Sequence, residues 1–177
     1  MAKDSFGINK ETKPVPGKFA SRTPWRVKLE KPNVDLPKIV RVPRMWQKRF
    51  GKGTMVIARP LDVDALIRNV RKGRLVTQTR LRERLAKKYH VDHTCPLTTG
   101  IFVRIAAEAA EEDRRGGRRR ITPYWRVVRD DGSLNEKFPG GPPAQARRLR
   151  AEGFSIAAGK GKKPPRVKDF EERLARH

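Results

Sequence analysis

The stretch Ile121-Thr-Pro-Tyr-Trp-Arg-Val-Val-Arg-Asp-Asp-Gly-Ser-Leu134, followed by Phe138-Pro-Gly-Gly141, predicts a corner around which the chain is organised. Pro123 cannot extend a helix, and it biases the residue before it towards extended backbone. The Arg-Val-Val-Arg run then predicts a short strand, and Asp-Asp-Gly predicts the turn that ends it. Tyr124 and Trp125 therefore lie where a loop meets a strand. There they can either pack in a core or contact a partner.

The charge of the chain points to a polyanionic partner. Among 177 residues, 43 Lys and Arg against 19 Asp and Glu give a net charge of +24. Phosphate backbones are the commonest polyanions in a cell, so we expect a nucleic acid partner. A membrane surface would require a basic helix with a bulky apolar face, and the sequence contains none.

Composition also limits the compartment and the chemistry. The sequence has no run of eighteen apolar residues and no apolar segment near its start, so we expect a cytoplasmic protein, nucleoid-associated if bacterial, without a membrane span. A single cysteine excludes an internal disulfide, and structural zinc sites usually need a cluster of Cys and His. We therefore expect neither a metal nor a cofactor.

Three segments are predicted. Residues 1–53 form a basic, proline-rich and partly extended arm, with fourteen basic and four acidic residues in the first 52 and with Trp25 and Trp46 as anchors. Residues 54–156 carry the periodic apolar pattern of a folded domain. Residues 157–177 form a basic C-terminal extension that lies over the domain.

Two amphipathic helices are predicted early in the domain. Apolar residues recur at helical spacing in residues 61–70 and again in residues 78–89. Thr77 is suited to cap the second helix, because its hydroxyl can accept a hydrogen bond from a free backbone N–H of the first turn. This second helix exposes a row of Arg and Lys side chains.

A third helix is predicted from Gly100 to about Glu112, capped by Thr98 or Thr99. Its buried stripe is expected to consist of Ile101, Phe102, Ile105, Ala106 and Ala109. The second helix, a connector and the third helix make a helix-turn-helix-like unit. We therefore predict a mainly α domain with short strands and a winged-helix-like fold.

An arginine-rich run and a lone thiol are the remaining candidates for function. Residues 114–120 hold five arginines around a glycine pair, and Arg118, Arg119 and Arg120 are predicted to bind phosphate, with a solvated loop as the alternative. Cys95 lies close to a helix start and two residues from a histidine, so it is a candidate nucleophile. Lone cysteines are more often small buried hydrophobic residues.

The corner resembles a known family. Pro123-Tyr-Trp-Arg-Val-Val-Arg-Asp-Asp-Gly-Ser-Leu134, Phe138-Pro-Gly-Gly141 and Leu149-Arg-Ala-Glu-Gly153 are similar to the C-terminal domain of O6-alkylguanine-DNA alkyltransferases. The resemblance covers roughly residues 55–155 and is most specific at 122–141. In those enzymes the matching run reads Pro-Cys-His-Arg-Val.

The departures from the family pattern predict a loss of catalysis. The alkyl-accepting cysteine falls on Tyr124, and the histidine that activates it falls on Trp125. Glu152 matches the third member of the relay, and Arg126 matches a structural arginine. A phenol and an indole cannot replace an activated thiolate. The pattern is closer to alkyltransferase-like proteins, which keep the fold and bind alkylated DNA without the cysteine.

The resemblance also implies which residues contact DNA. Gln78 falls near the family's tyrosine that rotates the target nucleotide, and Leu97 falls near its intercalating arginine. The expected contacts are Gln78, Thr98, Thr99, Arg118, Arg119, Arg120, Tyr124, Trp125, Arg126 and Phe138. We predict a non-catalytic alkyltransferase-like protein that binds double-stranded DNA, with a modified base such as O6-alkylguanine as a candidate target. The alternatives are a general basic nucleic-acid-binding protein, architectural or RNA-associated, and an alkyltransferase that uses Cys95.

Overall fold

The computed structural model describes residues 21–175, so predictions for residues 1–20 and 176–177 lie outside the described part of the chain. The helices and strands in chain order are α1 (Trp25–Glu30), β1 (Lys38–Arg41), α2 (Arg44–Phe50), β2 (Thr54–Ile57), α3 (Pro60–Arg68), β3 (Val76–Thr77), α4 (Gln78–Tyr89), β4 (His93–Thr94), α5 (Pro96–Arg115), β5 (Val127–Val128), α6 (Gly141–Ala151), β6 (Ile156–Ala157) and β7 (Arg166–Val167). Short 3₁₀ turns precede β5 and follow β7, at Tyr124–Arg126 and Phe170–Arg173. The fold is mixed α/β and rich in helix.

Three small sheets connect distant parts of the chain. β2 pairs antiparallel with β1 and parallel with β4. β3 pairs parallel with β5, and β6 pairs antiparallel with β7. Because β1 belongs to the predicted arm and β2 to the predicted domain, the two segments share one sheet. None of the helices in residues 21–175 is both long enough and apolar enough to cross a membrane.

The main core forms around α5. Its alanines, Ala106, Ala107, Ala109 and Ala110, are almost fully buried, and their small side chains allow α1 and α3 to approach closely. Leu29 of α1 is 1% exposed in this core. The second half of the predicted arm is therefore part of the folded domain, and Trp25 packs against the same core.

Acidic residues near the end of α5 hold α1 in place. The Glu112 carboxylate accepts hydrogen bonds from the backbone N–H groups of Trp25 and Arg26, at 3.2 and 2.7 Å. These are free donors in the first turn of α1, where a negative charge is favourable. Asp113 also forms an ion pair with the Arg26 guanidinium, at 3.1 Å.

The structure confirms Thr77 as the cap of α4 and corrects the limits of α5. Thr77 Oγ1 accepts the Arg80 N–H at 3.2 Å. The prediction of a third helix from Gly100 to Glu112 is too short, because α5 begins at Pro96 and ends at Arg115. Proline suits the first helical position, where its missing N–H is not needed.

The C-terminal extension covers the turn after the corner. Phe170 is 5% exposed and joins a second core cluster with Leu134 and Leu149. Its ring lies so close to Gly132 that a Cβ there would meet the ring carbon Cδ1 at 2.4 Å. Gly132 also has φ +78°, so a glycine is required at this turn for both reasons.

Candidate nucleic-acid interface

The aromatic corner is part of the core. Tyr124 is 1% exposed and Phe138 is 4% exposed. The Tyr124 ring meets the rings of Trp125 and Phe138 edge-on, with centroids 5.5 and 5.3 Å apart. Stacking on a base requires an open ring face, and Tyr124 and Phe138 offer none in this structure. We therefore leave both residues out of the proposed interface.

The Tyr124 hydroxyl is held as a neutral donor. It donates to Glu111 Oε1 at 2.8 Å. Burial, followed by the nearby Glu111 charge, raises the pKa of the Tyr124 phenol above its usual value. Burial opposes the ionisation of Glu111, but hydrogen bonds from Arg114 and Tyr124 outweigh it and lower the pKa of the carboxyl. The Tyr124 phenol is therefore neither accessible nor ionised.

Trp125 and Glu152 are in direct contact. Trp125 Nε1–H donates to Glu152 Oε1 at 2.8 Å. Arg126 donates to both Glu152 oxygens, at 2.9 Å from Nε and 2.8 Å from Nη2, and to the Val70 carbonyl at 2.5 Å. Burial opposes the ionisation of Glu152, but the Arg126 and Trp125 hydrogen bonds prevail and lower the pKa of this carboxyl. The unit stabilises the fold, and Arg126 is occupied within it.

A cleft of about 520 Å³ lies beside the corner. It is bounded by the start of α4, the first half of α5 and the loop after β5. Six of its lining residues are Gln78, Leu97, Ile101, Arg129, Asn135 and Lys137. Leu97 is 62% exposed and Ile101 is 47% exposed. The rim of the cleft therefore presents two exposed apolar side chains, and Arg129 and Lys137 also line the cleft.

Hydrogen bonds fix the wall of the cleft that faces α5. Asp130 accepts from the Thr79 N–H at 3.0 Å and from the Thr79 hydroxyl at 2.6 Å, which ties the loop to the first turn of α4. Gln145 is fully buried: its Oε1 accepts the Asn135 N–H at 2.7 Å, and its Nε2 donates to the Trp125 and Val127 carbonyls. The cleft is therefore preorganised.

The predicted DNA contacts do not all converge on this cleft. Gln78 lines it. Thr98 and Thr99 lie in the first turn of α5 rather than at its cap. Thr99 is 2% exposed, and its hydroxyl is occupied because it donates to the Cys95 carbonyl at 2.7 Å. Arg118, Arg119 and Arg120 are exposed beyond the other end of α5, where Arg118 lies 3.6 Å from Asp113.

Ile101, Asn135 and Lys137 are cleft residues that the sequence did not reveal. The prediction that Ile101 belongs to the buried stripe is wrong, because the stripe runs through Thr99, Val103, Ala106 and Ala110. Pro96 as the first helical residue was the available signal for the true start of α5. Asn135 and Lys137 come from a loop whose path no periodicity predicts.

The other candidate chemistry finds no support in the geometry. Cys95 is 4% exposed and packs with Val42 and Met55. Within residues 21–175 there is no group of three or more His, Cys, Asp or Glu that could hold a metal ion.

Comparisons of the chain with protein-family models, with curated proteins and with solved structures find no match. We therefore infer a function from the residues and geometry of this chain.

Proposed function

We propose that this protein binds double-stranded DNA through the cleft at the start of α5, as a non-catalytic alkyltransferase-like protein with a winged-helix-like fold. The observation that carries the proposal is the exposed pair Leu97 and Ile101 on a chain with a net charge of +24. Exposed apolar side chains cost free energy in water, whereas leucine and isoleucine act as wedges between base steps in DNA complexes.

The arrangement of α4, β4 and α5 supports this mode of binding. In a helix-turn-helix unit the second helix enters a groove with its N-terminal residues towards the bases. Leu97, Gly100 and Ile101 occupy that end of α5 and line the cleft. The acidic side chains Glu111, Glu112 and Asp113 lie at the opposite end, where they are bonded to Tyr124, α1 and Arg26. They do not oppose phosphates at the cleft.

A base displaced from the duplex is the candidate ligand of the cleft. Sites for ligands of this size have volumes of roughly 300–1,000 Å³, and the cleft falls within that range. Gln78, Asn135 and Lys137 supply amide and ammonium groups for the polar edge of a base. O6-alkylguanine is the candidate target that the family resemblance implies.

Catalysis is not part of the proposal. The phenol of Tyr124 is buried and neutral, the indole of Trp125 donates to Glu152, and the thiol of Cys95 is enclosed by apolar side chains. A methyl acceptor must reach the O6 substituent as an activated nucleophile. None of these three groups meets that condition.

The first experiment tests alkyl transfer and lesion recognition together. We expect no transfer of radiolabel from duplex DNA that contains O6-methylguanine, and tighter binding of that duplex than of the same unmodified duplex. Stoichiometric labelling of the protein would contradict the non-catalytic assignment. If Cys95→Ser then abolished the labelling, Cys95 would be the acceptor.

A general basic nucleic-acid-binding protein is the second candidate. The exposed Arg118, Arg119 and Arg120 and the exposed lysines of the C-terminal segment favour it, because they form no single groove with the cleft. Such a protein binds modified and unmodified duplexes equally, with a steep dependence on salt. Its duplex affinity also does not depend on which exposed apolar side chain is replaced.

A further inference from the structure

A second cavity lies at the other end of α5. It has a volume of about 440 Å³, is open to solvent on one side, and is bordered by the last turns of α5, Pro139 and Gly140, and the first turns of α6. Four arginines line it, Arg114 and Arg115 from α5 and Arg147 and Arg148 from α6. No sequence pattern joins these residues, because the two pairs are more than thirty positions apart.

The cavity has an excess of positive charge. Among the described residues that line it, Glu111 is the one carboxylate, and it pairs with Arg114 at 2.7 Å and with Arg148. Tyr124, also in the lining, is neutral because its pKa is raised by burial and by Glu111. Four guanidinium groups and one carboxylate leave three positive charges in one cavity. Like charges that line one cavity repel each other, so this arrangement favours a bound anion.

Arg148 is preorganised for that anion. Its guanidinium lies 4.5 Å from the centroid of the Trp125 ring and 5.8 Å from that of Tyr124. It also donates to Glu111, and its side chain is 24% exposed. A guanidinium fixed by aromatic faces loses little rotamer entropy when it binds a phosphate. Arg147 is exposed and has no ion pair within the described residues.

The cavity and the cleft lie on the same face of α5. Positions 97, 101 and 104 line the cleft, and positions 111 and 115 line the cavity. These positions are separated by three, four or seven residues, the spacing of one helical stripe. Ile101 and Arg115 are fourteen residues apart, or about 21 Å along the helix axis. That distance equals the rise of about six base pairs.

We propose that the four-arginine cavity binds backbone phosphates of the same DNA duplex that occupies the cleft, about six base pairs from it. The proposal depends on the proposed function, since it assigns a second contact of that complex. Backbone contacts of this kind set register and orientation without reading sequence. The cavity therefore fixes which way the cleft faces along the duplex.

The test removes charge from the cavity without disturbing its buried part. The variant is Arg115→Gln with Arg147→Gln, both exposed, and the matched control is Arg71→Gln with Lys72→Gln, also exposed and outside both cavities. Duplex affinity is measured by fluorescence anisotropy at several salt concentrations. We expect the negative slope of log K against log salt to become shallower by about 2 in the cavity variant, which is roughly a 30-fold loss of affinity at 150 mM salt. Unchanged thermal unfolding would verify that both variants fold.

Neutral phosphates locate the contact. Single methylphosphonates are placed along each strand, and each is tested with the wild type and the cavity variant. We expect a few adjacent positions to weaken the wild type more than the variant, which keeps Arg114 and Arg148, and Arg115→Lys with Arg147→Lys to restore the full effect. If every position weakens both proteins equally, the cavity assignment is wrong while DNA binding stands. If the wild type does not bind the duplex, the assignments of the cleft and of the cavity both fail. Saturable binding of inorganic phosphate in that case would make free phosphate the ligand of the cavity.

Discussion

Replacing Glu152 with alanine is expected to destabilise the protein by about 3–5 kcal/mol, because it leaves a buried guanidinium without its counter-ion. The side chains of Glu152 and Arg126 are 8% and 13% exposed, so water cannot replace the lost contacts. The Trp125 indole N–H loses its acceptor at the same time. For a chain of this length the melting temperature should fall by roughly 6–20 °C.

Two comparisons check the origin of that loss. Glu152→Gln keeps an acceptor for Trp125 but not the charge, so its free energy of unfolding should lie between those of Glu152→Ala and the wild type. The double variant Glu152→Ala with Arg126→Met removes both charges and should recover part of the stability. A double variant as unstable as the sum of the single variants would contradict the buried ion pair.

The same carboxylate predicts how stability depends on pH. Its folded pKa lies below the ordinary 4.5, so its contribution is complete above that pH and is lost as the pH falls through the folded pKa. The melting temperature of the wild type should therefore decrease more steeply below about pH 4.5 than that of Glu152→Gln. Parallel curves for the two proteins would show that Glu152 is not held ionised.

Leu97→Asp is expected to weaken duplex binding by roughly ten- to a hundredfold, or about 1.4–2.8 kcal/mol. The substitution replaces an exposed apolar wedge by a negative charge where the bases and phosphates are proposed to lie. Leu97 is the second residue of α5 after Pro96. An acidic residue in the first turn of a helix is favourable for stability, so the fold should be kept.

Leu61→Asp is the matched control. Leu61 is likewise the second residue of a helix that begins with proline, and it is 45% exposed. Both variants change the net charge equally, and fluorescence anisotropy compares their affinities for one duplex. A protein that binds only through its overall charge would lose the same affinity in both. Equal affinities would therefore favour the general basic binder over the cleft.

The corner itself could be predicted because its signals are local. Pro123 and Gly132 restrict the backbone within a few residues, and the helical spacing in residues 78–89 is unambiguous. Short-range constraints of this kind do not depend on how the elements pack.

The cleft and the cavity could not be predicted, because long-range packing creates them. Gln145 is an ordinary polar residue in the sequence, yet it is buried and bonds three backbone groups, those of Trp125, Val127 and Asn135. The four arginines of the cavity come together only because α6 lies beside the end of α5. Likewise, the sequence predicts residues 25–30 as part of the arm, whereas in the structure they form α1, whose first backbone N–H groups donate to Glu112. Such partners are distant in sequence and leave no periodic signal.

The most direct test of the central claim, that DNA lies in the cleft, is site-specific photocrosslinking to a labelled duplex. A benzophenone side chain replaces Ile101 in one protein and Leu61 in the other, two positions with almost equal exposure, 47% and 45%. We expect a crosslink from position 101 that unlabelled duplex competes away, and little or none from position 61. Equal crosslinking from the two positions, or none from position 101 under conditions where the wild type binds, would contradict it.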